Sequence, residues 1–356
     1  MLDQAKEVRQ GEALNWQVLS AYLQKELPEL QGKMRVSQFH GGHANLTYLL
    51  TFGETELVLR RPPFGKIAPG AHDMRREYRV LSKLYRHFSP APRAYHFCAD
   101  ESIIGAPFVV IERKRGVVVR YKLLDCFKSF ENAEKRITEA MIRAQANLHL
   151  VDYEKANLSN LGKPAGFLER QLNGWSKRWN LSKTDASSDM DDILEWLQSD
   201  VPTTQRVSII HNDIKPDNCQ FQPNNPDKVM AIFDWDMCTL GDPLVDLATT
   251  LSYWPDDRFD LEKYPDLPVT LQGDFPPKSF LIERYQHFTN LDMSRLAWYE
   301  VFAYWKGTVI AQQLYKRYVD GQTKDERMRL FGTSAKAMID VIWKIIGGLG
   351  CEVIRE

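Results

Sequence analysis

No apolar run in this chain approaches the ~18 to 20 residues that a membrane-crossing helix needs, so a transmembrane segment is not expected. Cysteine is scarce as well. The five present (Cys98, Cys126, Cys219, Cys238, Cys351) are odd in number and lack C-x-x-C spacing, which argues against a disulfide framework or a zinc site and fits reduced thiols. An excess of either charge is absent, the net charge being −1, and this excludes nucleic-acid binding by bulk electrostatics. A neutral protein can still hold a local basic site. The first residues include Asp3, Glu7 and Glu12 and no apolar stretch, so no signal peptide is expected. These absences together point to a cytoplasmic protein whose partners are neither nucleic acid nor membrane.

What remains is an ordinary globular composition, 44% apolar and 26% charged, in a chain of 356 residues, long enough for two lobes. Leu14, Val18, Tyr22 and Leu23 predict a leader helix over 14–27. Strands are expected at 34–40 and 45–52 around the turn Gly41-Gly42, and a third at 56–61, closed by Pro62-Pro63. A helix over 73–88 and a buried strand at 108–111 complete a small sheet-based lobe, placed at 1–113. From about 130 the pattern turns helical, and Ile137, Met141, Ala144 and Leu148 form a core stripe. The polar stretch 182–192 reads as a loop, 207–210 and 229–233 as short strands, and 279–290, 293–319 and 327–348 as helices. The second lobe is placed at 114–356.

Both short strands run into acidic motifs. His211-Asn212-Asp213-Ile214-Lys215-Pro216-Asp217-Asn218 has the H-x-D-x-x-x-x-N spacing of a kinase catalytic loop, and Asp234-Trp235-Asp236 follows the second strand. Phosphoryl transfer needs an oriented nucleophile, a held metal and neutralised phosphates. Asp213 is the candidate base, with Asn218 and Asp234 as hard oxygen ligands for Mg2+. Lys215 either reaches the transferring phosphate or faces solvent. His211 is expected to brace the loop. Asp236 either touches a second metal or caps the following turn.

The small lobe must grip the nucleotide. Gly41 and Gly42, followed by Asn45 and Thr47, allow close backbone approach to phosphates, although the pattern is neither G-x-G-x-x-G nor a Walker A motif. Arg60 lies in the third strand, where kinases place a phosphate-pairing lysine. Glu77 shares a helical face with Met74 and Leu81, so an Arg60–Glu77 ion pair is expected, the alternative being a surface Glu77. Gly241-Asp242-Pro243-x-x-Asp246 opens a further helix, with Asp242 as N-cap, and reads as a buttress of the metal loop. No D-F-G or A-P-E segment is present, which disfavours a protein kinase.

With HNDIKPDN, DWD and GDPLVDLA in order, the chain resembles the aminoglycoside-phosphotransferase-like superfamily. GGHANLTYLL, LVLRRPPFG and RREYRVL make the likeness strongest to the branch related to the kinase-like domain fused to some acyl-CoA dehydrogenases, over about residues 34 to 320. Arg60 matches that branch. Asn212 departs from its H-G-D, Asp236 from its D-W-E, and Glu112-Arg113-Lys114-Arg115-Gly116 is unusually basic. The resemblance implies an α+β, bilobal protein-kinase-like fold, with a small β-rich N-lobe and a large, mainly helical C-lobe. It also implies ATP and Mg2+ in the cleft, adenine against the backbone from Ile111 to Arg113, and a small-molecule alcohol as acceptor. Acceptors in such families include hydroxyacyl-CoA thioesters, sugars and aminoglycosides. Polycationic aminoglycosides would call for acidic groups such as Asp256, Asp257, Asp260, Glu262 and Asp266. Trp175, Trp179, Trp254, Trp298, Tyr299 and Trp305 are candidates for the acceptor lobe, most of them expected in the core. The competing reading is a catalytically idle nucleotide- or metabolite-binding protein.

Overall fold

The computed structural model describes residues 4–41, 45–65, 72–184, 188–254, 257–259, 269–271, 273–323 and 325–349. Gly42, Cys351 and, from the acidic stretch, Asp256, Asp260, Glu262 and Asp266 lie outside the described residues.

Alternating burial builds the first lobe. Strands β1 (Met34–Phe39), β2 (Leu46–Phe52), β3 (Thr55–Arg61), β4 (Ala94–Cys98) and β5 (Phe108–Glu112) form one antiparallel sheet in the order β1-β2-β3-β5-β4. Directly opposed residues share a face. Tyr48, Leu50, Leu57, Leu59 and Val110 therefore point one way, onto Leu19 and Leu23 of helix α1 (Trp16–Glu26). The other face carries Phe39, Val58, Val109 and Ile111 against Met74, Val80, Leu81 and Leu84 of helix α2 (Met74–Leu84). Arg60 stands opposite Thr47 and Val109, so it falls on this second face.

The second lobe is mainly helical. It contains α3 (Ala133–His149), α4 (Phe167–Ser182), α5 (Asp189–Ser199), α6 (Pro243–Leu251), α7 (Lys278–Thr289), α8 (Leu296–Val319) and α9 (Arg327–Gly348). Two small sheets lie beside them. One has the order β6 (Val117–Val118), β8 (Cys219–Gln222), β9 (Asn225–Ile232), and the other pairs β10 (Thr239–Gly241) with β7 (Ser208–Ile210). The architecture is thus the bilobal, kinase-like α+β fold expected. One apolar core runs from the α2 face of the small lobe through the helical lobe.

Several local expectations shift. The burial stripe of α1 uses Leu19 and Leu23, while Val18 is exposed. Helix α2 ends at Leu84 and not at Phe88, yet Phe88 stays buried from the following turn. The supposed loop 182–192 becomes helical at Asp189. Asp189, Asp191 and Asp192 fill its first turn, where carboxylates favour the helix N-terminus, and this acidity disguised the helix as a loop. Strands β4 and β8 were not anticipated. All six acceptor-lobe aromatics are buried in the common core. Cys98, Cys126, Cys219 and Cys238 are free thiols. No helix among the described residues is long and apolar enough to cross a membrane.

Candidate active site

Strand β7 hands the chain to the loop that begins at His211, and the loop's shape explains its sequence. Asn212 adopts φ +70°, the left-handed region where glycine is easiest and asparagine is the best-tolerated replacement. That is why an H-N-D sequence can stand where the motif it resembles is H-G-D. The turn is clamped by Asp246 in the first turn of α6. One Asp246 oxygen accepts the His211 amide (2.8 Å) and meets His149 Nε2 (2.9 Å), and the other accepts the Asn212 amide (2.7 Å). The expected buttress therefore exists but supports the catalytic loop, not the metal loop. The reason is that Asp246 lies a turn beyond Asp242, which itself caps α6 and accepts from Tyr299 Oη (2.9 Å).

Burial would raise the Asp246 carboxyl, but His149, His211 and the backbone donor outweigh it and hold it below the usual carboxylate range. Asp246→Ala strands these donors in the core and should cost about 3–5 kcal/mol of stability. With a depressed folded pKa, the ionised form contributes stability above the ordinary carboxylate range and loses it as pH falls through the folded value. Denaturant melts of wild type and variant should thus converge in acid. A gap that stays constant down to low pH would show that the charge of Asp246 contributes nothing.

His211 is fully buried and braces two loops at once. Its Nε2 donates to the Phe233 carbonyl (2.8 Å) while Nδ1 accepts the Asp213 amide (3.3 Å), a tautomer assigned from these partners. The Asp213 carboxylate is held on both oxygens. Oδ1 accepts from Tyr253 Oη (2.5 Å) and Oδ2 from Asn218 Nδ2 (2.7 Å), which also donates to the Asp213 carbonyl (2.8 Å). Lys215 Nζ lies 3.4 Å from Asp213 Oδ2 and 4.9 Å above the Tyr253 ring. Burial would lower the Lys215 ammonium, but Tyr253, Asp213 and Asp217 outweigh it and keep it protonated. Lys215 thus faces the catalytic loop and not open solvent. Burial and the Asp213 charge push the Tyr253 hydroxyl well up, so it donates to Asp213 as a neutral phenol.

In the neighbouring loop, Asp234 also adopts a left-handed backbone, φ +68°, at the entry to a 3-10 turn over Trp235–Met237. Its carboxylate accepts from Arg60 and, at 3.4 Å, from Asn45 Nδ2, whose Oδ1 meets His72 Nδ1 at 2.9 Å. Burial raises the Asp234 carboxyl, yet Arg60 more than compensates and keeps it ionised. Arg60 Nε lies 3.3 Å from Glu77 Oε1, so the expected ion pair forms and Glu77 is fully buried. It is not aligned for hydrogen bonding, since both Glu77 oxygens and Arg60 Nε lack a hydrogen-bond partner. Burial accordingly outweighs Arg60 and pushes the Glu77 carboxyl up to about 7. Asp236 sits inside the 3-10 turn and not at a cap, and burial together with Asp234 raises its carboxyl.

Asn218, its amide nitrogen committed to Asp213, retains Oδ1 as an acceptor, and Asp234 adds an ionised carboxylate. Such an oxygen pair suits Mg2+, which usually takes one or two protein ligands and completes its shell with phosphate and water. Among the described residues no cluster of three or more His, Cys, Asp or Glu side chains could hold a metal by itself.

The remaining nucleotide candidates are more scattered. Thr47 stands opposite Arg60 on the sheet. Gly41 ends the described part of the β1–β2 turn, where a Cβ would come within 2.8 Å of the Arg120 guanidinium. Ile111 buries its side chain in the core, leaving only its backbone to the cleft. Arg113 donates from Nη1 to the Lys114 carbonyl (2.8 Å) and lies over Phe39, 4.6 Å from the ring centre. Beside it, Gly116 packs so closely on Gln220 that a Cβ would sit 2.5 Å from its Cγ. Gln220 shares a face with Val118 and Ala231, opposite the face that Val117, Phe221 and Ile232 give to the core. It is fully buried, with both amide atoms unpartnered. Tyr253, Arg120 and Gln220 were missed from sequence, because none belongs to a local motif.

The model of the family described as "Phosphotransferase enzyme family" matches residues 35–264. An acyl-CoA dehydrogenase family member 10 from Mus musculus is 30% identical over 357 residues, covering 98% of this chain but 33% of its own length. The chain thus spans about a third of that relative. Among solved structures, a protein from Ralstonia eutropha provisionally assigned as an aminoglycoside phosphotransferase superposes with TM-score 0.77 at 27% identity, covering 94% of this chain and 99% of the other. An aminoglycoside phosphotransferase in ternary complex with AMP-PNP and hygromycin B superposes at 0.58 with 17% identity, covering 93% and 99%, a likeness of fold alone.

Proposed function

Because this chain belongs to the phosphotransferase enzyme family, we propose that it transfers the γ-phosphoryl group of ATP, with Mg2+, to a hydroxyl of a small molecule. The observation that carries this reading is the doubly held carboxylate of Asp213, tied through Asn218 to the oxygen pair that would receive the metal. Tyr253 and Asn218 fix both its oxygens, so its orientation does not depend on substrate.

In this reading the acceptor oxygen attacks the γ-phosphorus, the bond from that phosphorus to the β-γ bridging oxygen breaks, and ADP departs. Asp213 takes the hydroxyl proton, late, as the phosphoryl group leaves its donor. Lys215, kept protonated beside it, faces the transferring group. Asn218 and Asp234 would hold Mg2+, which supplies charge neutralisation at the β- and γ-phosphates. Arg60, held between Asp234 and Glu77, turns toward the phosphates. Gly41, Asn45 and Thr47 cover the phosphates. The backbone of Ile111 to Arg113 meets the base above Val118, Gln220 and Ala231. The solved relative with AMP-PNP in its complex supports a nucleotide in the cleft. The acyl-CoA dehydrogenase relative keeps hydroxyacyl-CoA among the acceptors, and the aminoglycoside phosphotransferases keep aminoglycoside-like and sugar alcohols.

The reading is tested by melting temperature. ATP should raise it only with Mg2+ present, and at [ATP] 100-fold above Kd the gain corresponds to about 2.7 kcal/mol. An absence of any shift at millimolar Mg-ATP would overturn it.

A further inference from the structure

The helical lobe that carries Asp213 also contains a cation that the phosphotransfer reading does not use. Lys306, in the middle of α8, is only 6% exposed. Among the described residues it has neither a hydrogen bond nor an ion pair. Its Nζ lies 5.7 Å from the ring centre of Trp175 on α4. The exposed Arg178, one turn further along α4, lays its guanidinium over the same indole at 4.4 Å. Trp175 is itself buried, with Nε1 donating to Gln171 Oε1 at 3.1 Å. Two cations therefore converge on one aromatic wall.

An ammonium largely withdrawn from water and left without a counter-charge is costly. A neighbouring indole repays part of that cost, but Arg178 adds like-charge repulsion. Burial accordingly lowers the Lys306 ammonium, against the opposing fields of Asp246 and Asp213. Its helix also locates it: α8 packs against α6, Tyr299 two turns before Lys306 donates to Asp242 at the start of α6, and Tyr253, just past the end of α6, holds Asp213. The missing counter-charge thus belongs on the helix that packs beside the element holding Asp213.

We propose that Lys306, with Trp175 and Arg178, forms the recognition subsite of an anionic acceptor, a hydroxy compound whose own carboxylate or phosphate pairs with Lys306. This rests on the phosphotransfer reading for the acceptor's hydroxyl end and sharpens it. A polycationic aminoglycoside is disfavoured by the two cations.

The test is calorimetric titration with 3-hydroxybutyrate, glycerol 3-phosphate, neutral 1,3-butanediol and kanamycin, each with and without Mg-AMP-PNP. Wild type should bind at least one anion, the carboxylate and phosphate arms telling which, and should bind it at least tenfold more tightly than butanediol or kanamycin. Lys306→Met should lose that tenfold while the ligand-free protein melts at the same or a higher temperature, since an unpaired buried charge has been removed. Arg178→Gln, an exposed change that spares the core, should weaken the same anion by a smaller factor. Equal binding of neutral and anionic probes, or anion binding indifferent to both substitutions, overturns the proposal. So does a Lys306→Met protein that melts lower while Arg178→Gln binds as wild type. Failure of Mg-AMP-PNP to bind wild type would instead count against the phosphotransfer reading, because the anion titrations without nucleotide are read separately.

Discussion

Asp213→Asn lowers kcat by about 10²–10⁴-fold, the usual contribution of a positioned general base, while the Kd for Mg-ATP stays within a factor of about three of wild type. The asymmetry follows from the geometry. Asparagine keeps the shape of the side chain and an oxygen for Tyr253, but it cannot take a proton from an alcohol. Asn218 loses one partner, Asp213 Oδ2, yet keeps its bond to the Asp213 carbonyl at 2.8 Å, so its Oδ1 stays in place for the metal. Steady-state turnover paired with nucleotide titration separates the two effects. Near-wild-type turnover would take the base role away from Asp213, and an equal loss in binding would make it part of the metal site.

The opposite split is expected for Asp234→Ala. This change removes the ionised oxygen ligand of the proposed metal pair and leaves Arg60 with the misaligned Glu77 as its ion-pair partner. Affinity for Mg-ATP should fall at least tenfold, about 1.4 kcal/mol, and the Mg2+ dependence of nucleotide binding should flatten. Asp234→Asn, which keeps an oxygen but not the charge, should fall between. Binding of Mg-ATP at wild-type strength in the alanine variant would exclude Asp234 as a metal ligand.

How much of this could be read in advance depended on the range of each interaction. The spacing from His211 to Asn218 is fixed by one loop, so the relation of Asp213 to Asn218 was legible directly. The Arg60–Glu77 pair was legible too, because strand alternation and helical phase each aim one partner at the shared face. Around α1, Leu23 is buried and Leu14 and Tyr22 pack on the core as expected, with only Val18 turned outward, whereas Asp189 to Asp192 passed for a loop because acidic first turns and polar loops share a composition. Asp242 and Asp246 were recognisable as the opening of a helix, but not which loop Asp246 would hold. That depends on β7 lying beside α6. Tyr253 reaches Asp213 across 40 residues of sequence, and Gln220 meets Gly116 only because β6 pairs with β8. Such contacts follow from tertiary packing, to which no local pattern points. Lys306 was hidden for the same reason, as one lysine in a helix rich in aromatics.

The central claim, transfer to an alcohol, is tested most directly with ATP labelled at the γ-phosphate. The label should appear, with Mg2+, on hydroxy compounds drawn from anionic, neutral and cationic sets, and should vanish in Asp213→Asn. The account predicts a phosphorylated alcohol from wild type alone. Mg-ATP bound tightly by wild type, with no label leaving it for any hydroxyl in the three sets, would contradict the account and leave a nucleotide-binding protein in its place.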